Sequence, residues 1–282
     1  MERQPLTMRE NQQAAAQVMS VIDGICKKLG LRYFLAYGTL IGAVRHNGYI
    51  PWDDDLDIMM PRPDYDRLMA YFQENAEKLK PYTLFTPETV ADYPYMIARV
   101  SDSRYEIVTE NEKDCGMGAF VDIYPMDGLG KDWDSAVAYS KAAGRYASLC
   151  FLSTRLRCEK GLTTSKLRLL IKLPAFLVAK LVGKRWFMNK LAAFAKACDY
   201  ENSDYIGCVV WEAGGENAVY PKAWFEKTKE VDFEGYRFYI PDQFHAVLTK
   251  SYGDYMQLPP EEERIAHHFY KIYRRQQSEG SL

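Results

Sequence analysis

The sequence predicts a mixed α/β fold in a single domain that spans residues 1–282. Three observations support this prediction: a first amphipathic helix over residues 8–29, several short strand-like segments after it, and a largely helical stretch over residues 132–200. With 48% hydrophobic residues in a chain of 282, a sizeable core can be buried. The sequence contains no internal repeat, low-complexity tract or clear linker that would divide it.

Each element rests on a local pattern. The first helix follows Thr7, a residue type that favours helix N-caps, and carries apolar residues at helical spacing. The strands are short runs rich in aromatic and β-branched residues, bounded by Gly, Pro, Asn or Asp. In chain order we predict a helix over 8–29, a strand over 33–37, a short helix ending at 46, a strand over 55–60, a helix from 61 to 79, strands over 82–86, 94–100, 104–109 and 120–124, the helical stretch 132–200, a hairpin over 231–240 that turns at 234–235, and a helix over 241–252.

The most informative feature is a run of acids where the strand over 55–60 begins. Asp53, Asp54, Asp55 and Asp57 crowd five residues, although Asp is a poor strand former and like charges repel. Side chains alternate along a strand, so Asp55 and Asp57 should point the same way. Two such carboxylates predict a site for Mg²⁺, or for Mn²⁺. Asp54 should face away, towards solvent.

The segment before these acids is typical of a phosphate site. We predict a tight turn at Gly38 and Thr39 between the strand over 33–37 and the short helix. Glycine lets a phosphate approach the backbone, and the N-terminus of the helix offers free N–H groups. Arg45 or His46 could add positive charge. The alternative is a plain turn that starts a helix.

The order strand, Gly-Thr turn, short helix and Asp-x-Asp strand is typical of the nucleotidyltransferase palm. Asp122, within the strand over 120–124, is predicted to join Asp55 and Asp57 as the third catalytic and metal-binding carboxylate. It would either ligate the metal or accept a proton. Arg99 is a charge in an apolar strand. It would either bind a diphosphate or pair with the acidic group.

Three blocks of the sequence resemble the LicD family of phosphocholine transferases, which is related to fukutin. They are residues 38–57 (GTLIGAVRHNGYIPWDDDLD), residues 120–129 (FVDIYPMDGL) and residues 252–264 (YGDYMQLPPEEER), followed by His267 and His268. The resemblance covers the chain from about residue 15 to 270. It implies a palm-like fold with a largely helical insertion or C-terminal part.

The resemblance also implies an activity. We expect a Mg²⁺-dependent enzyme that transfers phosphocholine from CDP-choline to a sugar hydroxyl of a cell-surface glycan precursor, such as teichoic acid or lipopolysaccharide, and releases CMP. The glycan acceptor would be lipid-linked. The alternatives are transfer of phosphoethanolamine, ribitol phosphate or glycerol phosphate from a CDP carrier, nucleotidyl transfer from CTP, or a non-catalytic scaffold for glycan assembly.

Further substrate-binding residues are predicted around the acidic run. Asp53 matches the first acid of the family's run and is expected to support the metal ligands. Gly253, Asp254 and Arg264 belong to the third block and could contact nucleotide or acceptor. Choline would need aromatic partners for its cation. The candidates, of which Trp52 adjoins the acids, are Trp52, Tyr37, Tyr49, Tyr124 and Trp211.

The charge is nearly balanced at −2, so we expect no nucleic-acid partner. The balance hides a strongly basic window: residues 155–196 hold eleven Lys or Arg and one acid, Glu159. Mixed with apolar and aromatic residues, this composition is typical of a helix that lies on an anionic membrane face. The alternative is a pair of ordinary helices, broken near Pro174, with solvated lysines and a buried apolar stripe.

The compartment follows from two further patterns. The first ten residues have no apolar signal-peptide core, and the six cysteines form no Cys-x-x-Cys pair, which suggests reduced thiols. We therefore expect a cytoplasmic protein that can be peripheral at the inner face of the cytoplasmic membrane.

Overall fold

The computed structural model describes residues 3–158, 166–211, 214–266 and 270–276. His267 and His268, which belong to the C-terminal block, lie outside these ranges. The strands are β1 (Phe34–Leu35), β2 (Asp57–Pro61), β3 (Tyr82–Phe85), β4 (Ala98–Asp102), β5 (Tyr105–Thr109), β6 (Ala119–Gly128), β7 (Tyr205–Gly207), β8 (Tyr220–Pro221), β9 (Thr228–Phe233), β10 (Tyr236–Pro241) and β11 (Tyr270–Arg274). The helices are α1 (Met8–Leu29), α2 (Tyr37–His46), α3 (Arg62–Glu74), α4 (Trp133–Thr154), α5 (Lys166–Val182), α6 (Lys184–Ala197) and α7 (Phe244–Tyr252), with short 3₁₀ turns at Glu216–Ala218, Lys222–Phe225 and Glu261–Glu263.

A central sheet, with strand order β1-β2-β6-β4-β3 in the described part of the chain, organises the fold. Strands β2 and β6 run parallel, and the other neighbours in this path are antiparallel. The far end of β6 pairs with β7, which in turn pairs with β8. Two separate ribbons, β9 with β10 and β5 with β11, accompany the sheet. The predicted mixed α/β fold is confirmed.

Helix α1 has the predicted bounds because capping residues define both of its ends. Thr7 and Glu10 form a reciprocal capping box at its start, and Gly30 adopts the left-handed conformation after its last residue. The helix packs against β4 and β6 with its apolar stripe. Two polar residues on the buried side, Asn11 and Gln12, extend that stripe towards the acidic run.

The structure differs from the predicted elements near the acids. Helix α2 begins at Tyr37, so Gly38 and Thr39 lie in its first turn and do not form a separate turn before it. Tyr37 provides the sharp bend from strand to helix with a positive φ of 46°. Strand β2 starts only at Asp57, which leaves Asp55 in the preceding loop.

The predicted helical stretch 132–200 consists of α4, α5 and α6 in the described residues. Helix α5 continues through Pro174, and the break to α6 falls at Gly183, which has a φ of 83°. A left-handed φ is readily adopted by glycine, whereas a proline can be tolerated in a helix at the cost of one hydrogen bond. No helix in the described ranges is both long and apolar enough to cross a bilayer.

Gly42 is required by a close approach within the fold. A Cβ atom at this position would lie 2.4 Å from the backbone oxygen of Gly48, so α2 can rest on the turn after it only without a side chain. We expect Gly42→Ala to lower the free energy of unfolding by about 1–3 kcal/mol through overpacking. Gly24→Ala in α1 is the control, because a Cβ atom added there would have no heavy atom within 4 Å; it should be neutral or stabilising. Urea denaturation of both variants tests the pair, and equal stability would contradict the prediction.

Candidate active site

Three charged side chains form a row across the middle of the sheet. Asp57 on β2 is the register partner of Asp122 on β6, and Asp122 is the partner of Arg99 on β4. Register partners on adjacent strands project to the same face of a sheet. All three side chains are buried. The fold thus collects two carboxylates and one guanidinium from segments that lie far apart in the sequence.

A third carboxylate completes the acidic group. One carboxylate oxygen each from Asp55, Asp57 and Asp122 lies within 4.8 Å of the other two. Three oxygens at such separations can ligate one divalent cation of the Mg²⁺ or Mn²⁺ type. Asp53 and Asp54 form a second such trio with Asp55, which therefore belongs to both groups.

Asp57 indicates that this group suits a cation. Its Oδ1 atom is buried and accepts no hydrogen bond from the described residues. Burial, followed by the charges of Asp55 and Asp122, raises the pKa of Asp57 well above its usual range. A divalent cation between the three carboxylates would satisfy Oδ1 and favour the ionised form. The residues present therefore fit a metal ion.

Arg99 pairs with the acidic group, which is one of its two predicted roles. Its Nε donates to Oδ1 of Asp122, and its Nη2 donates to Oδ2 of Asp122 at 3.0 Å. The guanidinium carbon lies 3.7 Å from the ring centroid of Tyr95 and 4.0 Å from that of Phe120. This bidentate pair between two aromatic rings fixes the orientation of the Asp122 carboxylate.

The first turn of α2 shapes the acidic run. The buried Thr39 accepts a hydrogen bond on Oγ1 from the backbone N–H of Asp57, at 2.9 Å. A Cβ atom on Gly38 would lie 2.6 Å from Oδ2 of Asp53. Both residues thus position carboxylates, and their predicted contact with phosphate stays a prediction.

The loop that carries Asp53 to Asp55 is anchored by side chains that the sequence reasoning missed. The Asn11 amide donates to the carbonyl of Asp54 at 2.7 Å, and the Gln12 amide donates to the carbonyl of Asp53 at 2.8 Å. The Tyr270 hydroxyl also donates to the Asp54 carbonyl, at 2.8 Å. In the sequence, the signal for these anchors is the pair of amide residues Asn11 and Gln12 beside the alanine-rich stripe of α1. Anchored this way, Asp54 is buried, and the prediction that it is solvated was wrong.

A cleft of about 600 Å³ opens beside the carboxylates. One wall is α2 with the acidic run, and the other is the C-terminal block around residues 252–263. Thr39, Arg99 and Asp122 are buried and do not line it. The predicted residues that line the cleft are Gly38, Arg45, Trp52, Asp53, Asp55, Asp57 and Asp254.

Two arginines hold the C-terminal wall. Nη1 of Arg45 donates to the carbonyl oxygens of Tyr255 at 2.8 Å and Gln257 at 3.2 Å. The guanidinium of Arg264 lies 5.7 Å from the ring centroid of Trp52. Burial, together with the charge of Arg264, lowers the pKa of Arg45. Arg45 lines the cleft, and Arg264 packs on Trp52, which also lines it. Two neighbouring cations near a metal-binding group suit a diphosphate.

Three of the five aromatic candidates for choline lie in contact. The ring centroids of Tyr37 and Tyr124 are 5.0 Å apart, and those of Tyr124 and Trp211 are 6.5 Å apart. We call these three residues the aromatic cluster. Tyr124 lies two residues after Asp122 on β6, so the cluster borders the acidic group. Tyr49 is buried against Phe233 instead, with ring centroids 4.9 Å apart.

Comparisons with known proteins identify the family of the chain. The model of the family described as LicD/FKTN/FKRP, nucleotidyltransferase domain, matches residues 30–145. The chain is 35% identical over 272 residues to the lipopolysaccharide cholinephosphotransferase LicD of Haemophilus influenzae. The aligned residues cover 95% of this chain and 98% of that protein. The chain belongs to the LicD family. The nucleotidyltransferase-like fold of the family and the prediction that the chain is an enzyme are thereby confirmed.

Shorter matches connect the chain to other members of the LicD family. The ribitol 5-phosphate transferases FKRP of mouse and human are each 39% identical over 54 residues, which is 19% of this chain and 10% of each FKRP chain. The range of the LicD family model includes Gly38, Asp57, Arg99 and Asp122. The C-terminal wall of the cleft and the helices after α4 lie beyond that range.

Proposed function

We propose that this LicD-family enzyme transfers phosphocholine from CDP-choline to a sugar hydroxyl of a lipid-linked, cell-surface glycan precursor and releases CMP. The observation that carries this proposal is the match to a lipopolysaccharide cholinephosphotransferase over 98% of that protein's length. The acidic group, Arg45 in the cleft and the neighbouring Arg264 support it, because they supply ligands for a metal and for a diphosphate.

The reaction joins the acceptor oxygen to the phosphorus that carries choline. That phosphorus loses its bond to the bridging oxygen, which leaves with CMP, and the acceptor hydroxyl loses its proton. Asp55, Asp57 and Asp122 would hold Mg²⁺, which when bound neutralises phosphate charge and favours ionisation of the attacking hydroxyl. Both oxygens of Asp122 accept hydrogen bonds from Arg99, which favours a ligand role for Asp122 over that of proton acceptor.

The diphosphate of the donor would lie between this metal and the guanidinium groups of Arg45 and Arg264. Arg45 is held by two backbone carbonyls, so its charge is positioned before the substrate binds. The N-terminus of α2 adds N–H groups to the same region. Arg45 and Gly38 remain proposed contacts of the donor on this basis.

The identity of the donor can be tested by thermal shift and product analysis. The protein is mixed with Mg²⁺ and CDP-choline, CDP-ethanolamine, CDP-ribitol, CDP-glycerol or CTP. We expect a Mg²⁺-dependent stabilisation by CDP-choline of about 2.7 kcal/mol at roughly 100 times its dissociation constant, followed by CMP release when acceptor is present. The shift should be lost in Asp55→Ala. If a different CDP-alcohol gives the shift, that compound is the donor in place of CDP-choline. Pyrophosphate release from CTP would indicate nucleotidyl transfer. No shift with any nucleotide would favour a scaffold.

The runner-up donor is CDP-ribitol, because of the match to the ribitol 5-phosphate transferases FKRP. The aromatic cluster favours choline, whose quaternary ammonium is attracted to ring faces, whereas ribitol is uncharged. We expect Trp211→Ala to lower the preference for CDP-choline over CDP-ribitol about tenfold. Trp133→Ala is the control: its ring packs on Tyr205, with centroids 5.3 Å apart. The ratio of the two kcat/KM values is the measurement, and an unchanged ratio in Trp211→Ala would remove the cluster from the choline site.

A further inference from the structure

Helix α5 is apolar on two sides, and the described residues cover only one of them. Phe176 and Ala179 are buried on the side towards α4. The opposite side is exposed, and it continues across Gly183 to the start of α6. We call this exposed set the α5–α6 surface; it consists of Leu173, Leu177, Val178, Leu181, Val182 and Trp186.

The exposure of this surface is unusual for the molecule. Six of the twelve exposed large apolar side chains among the described residues belong to the α5–α6 surface. Leu181 is 88% exposed, the highest value in that group. Spacings of three and four residues between its α5 members place them on one helical face. A helix that is apolar all round normally has a partner on every side, so a second partner is expected here.

Hydrogen bonds and a ring contact hold α5 and α6 in place, so the α5–α6 surface has a defined position in the fold. The Lys180 ammonium donates to the Ser153 carbonyl at 2.9 Å, and the Lys184 ammonium donates to the Tyr93 carbonyl. Tyr146 packs on Trp186, with ring centroids 6.0 Å apart. The apolar side chains are thus exposed by the fold itself. The buried side with Phe176 and Ala179 matches the alternative of a buried apolar stripe, and the α5–α6 surface is a second, exposed apolar side.

Charge decides which partner fits. Residues 155–196 contain eleven Lys or Arg and one acid. Arg185 and Lys190 are exposed beside Trp186, and the Lys190 ammonium lies 5.5 Å from the Trp186 ring centroid. Within the described ranges neither of them forms an ion pair with an acid. A second copy of the chain would bring like charges together, whereas anionic lipid headgroups would attract them.

We propose that the α5–α6 surface docks the protein on an anionic lipid bilayer. The apolar side chains enter the boundary between headgroups and acyl chains, Trp186 lies at headgroup level, and Arg185 and Lys190 contact lipid phosphates. The contact is interfacial. It is independent of the group that the enzyme transfers, so failure of the proposed reaction would leave it standing.

Vesicle flotation of the full chain tests this proposal. Vesicles of phosphatidylcholine alone are compared with vesicles of phosphatidylcholine and phosphatidylglycerol. We expect binding to the anionic vesicles only. Leu181→Asp should weaken binding about tenfold or more, because it removes buried apolar area and adds an anionic charge. The double variant Arg185→Glu/Lys190→Glu should weaken it at least as much and abolish the salt dependence of what remains.

Matched controls separate docking from general effects. Val108 on β5 is 47% exposed and lies outside the α5–α6 surface, so Val108→Asp should bind like wild type. The exposed Lys271 on β11 is the charge control, as Lys271→Glu. Unchanged melting temperatures establish that each variant folds. Absence of binding, or binding that Leu181→Asp leaves intact, overturns the proposal. A dimer detected by light scattering and lost in Leu181→Asp also overturns it, in favour of a second copy.

Discussion

Asp57→Asn should reduce transfer by about 10³-fold or more while the protein remains folded. Asn keeps the shape of the side chain but removes the charge that would bind a cation. The Asp57 carboxylate is buried beside Asp55 and Asp122, and its Oδ1 has no hydrogen-bond partner in the described residues. In the metal-free protein the substitution therefore relieves repulsion, and the melting temperature should be unchanged or higher.

The stabilisation by Mg²⁺ is the second readout for Asp57→Asn. Wild type should gain melting temperature with Mg²⁺, and the variant should gain little. Asp127→Asn is the control, because Asp127 is a buried carboxylate on the neighbouring strand β6 that pairs with Arg62 at 2.6 Å. This control should lose stability and keep turnover per folded molecule. Full turnover in Asp57→Asn would show that the metal site lies elsewhere.

Arg99→Met should lower the free energy of unfolding by about 3–5 kcal/mol, because it leaves the buried Asp122 without its positive partner. Three neighbouring carboxylates would then have no guanidinium among them. Mg²⁺ should restore part of the lost stability, since a cation in the acidic group supplies the missing charge. Urea denaturation with and without Mg²⁺ measures both effects.

Arg62→Met provides the matched control for Arg99→Met. It breaks the pair with the fully buried Asp127, which belongs to neither acidic trio among the described residues. We expect a similar loss of stability and no recovery with Mg²⁺. Equal recovery in both variants would mean that Mg²⁺ stabilises the protein without binding to the acidic group.

Local patterns predicted much of the fold and the acidic part of the site. Helix α1 was predictable because its cap, its stripe and its terminal glycine all agree. The turn at Glu234 and Gly235 was predictable as well, and both residues have positive φ angles there. The β9–β10 hairpin turns where the sequence indicated.

The missed features depend on contacts between distant segments. Nothing near Asp54 reveals that Asn11 and Tyr270 will bind its carbonyl and that the loop will bury its side chain. Arg99 could be recognised as unusual, but its pairing with Asp122 follows from strand register. Register depends on how the whole sheet assembles, and a single sequence does not display it. The break of the basic stretch at Gly183 was missed because proline is the stronger helix breaker on average.

The anchors of the acidic loop come from distant parts of the chain, Asn11 and Gln12 in α1 and Tyr270 in β11. The same two regions are also joined directly, since the Leu6 N–H donates to the Ile272 carbonyl at 2.7 Å. During synthesis, a nascent chain that stops short of residue 270 already carries every carboxylate of the two acidic trios but lacks one of the anchors that arrange them. Competence to bind nucleotide should thus appear only as β11 leaves the ribosome.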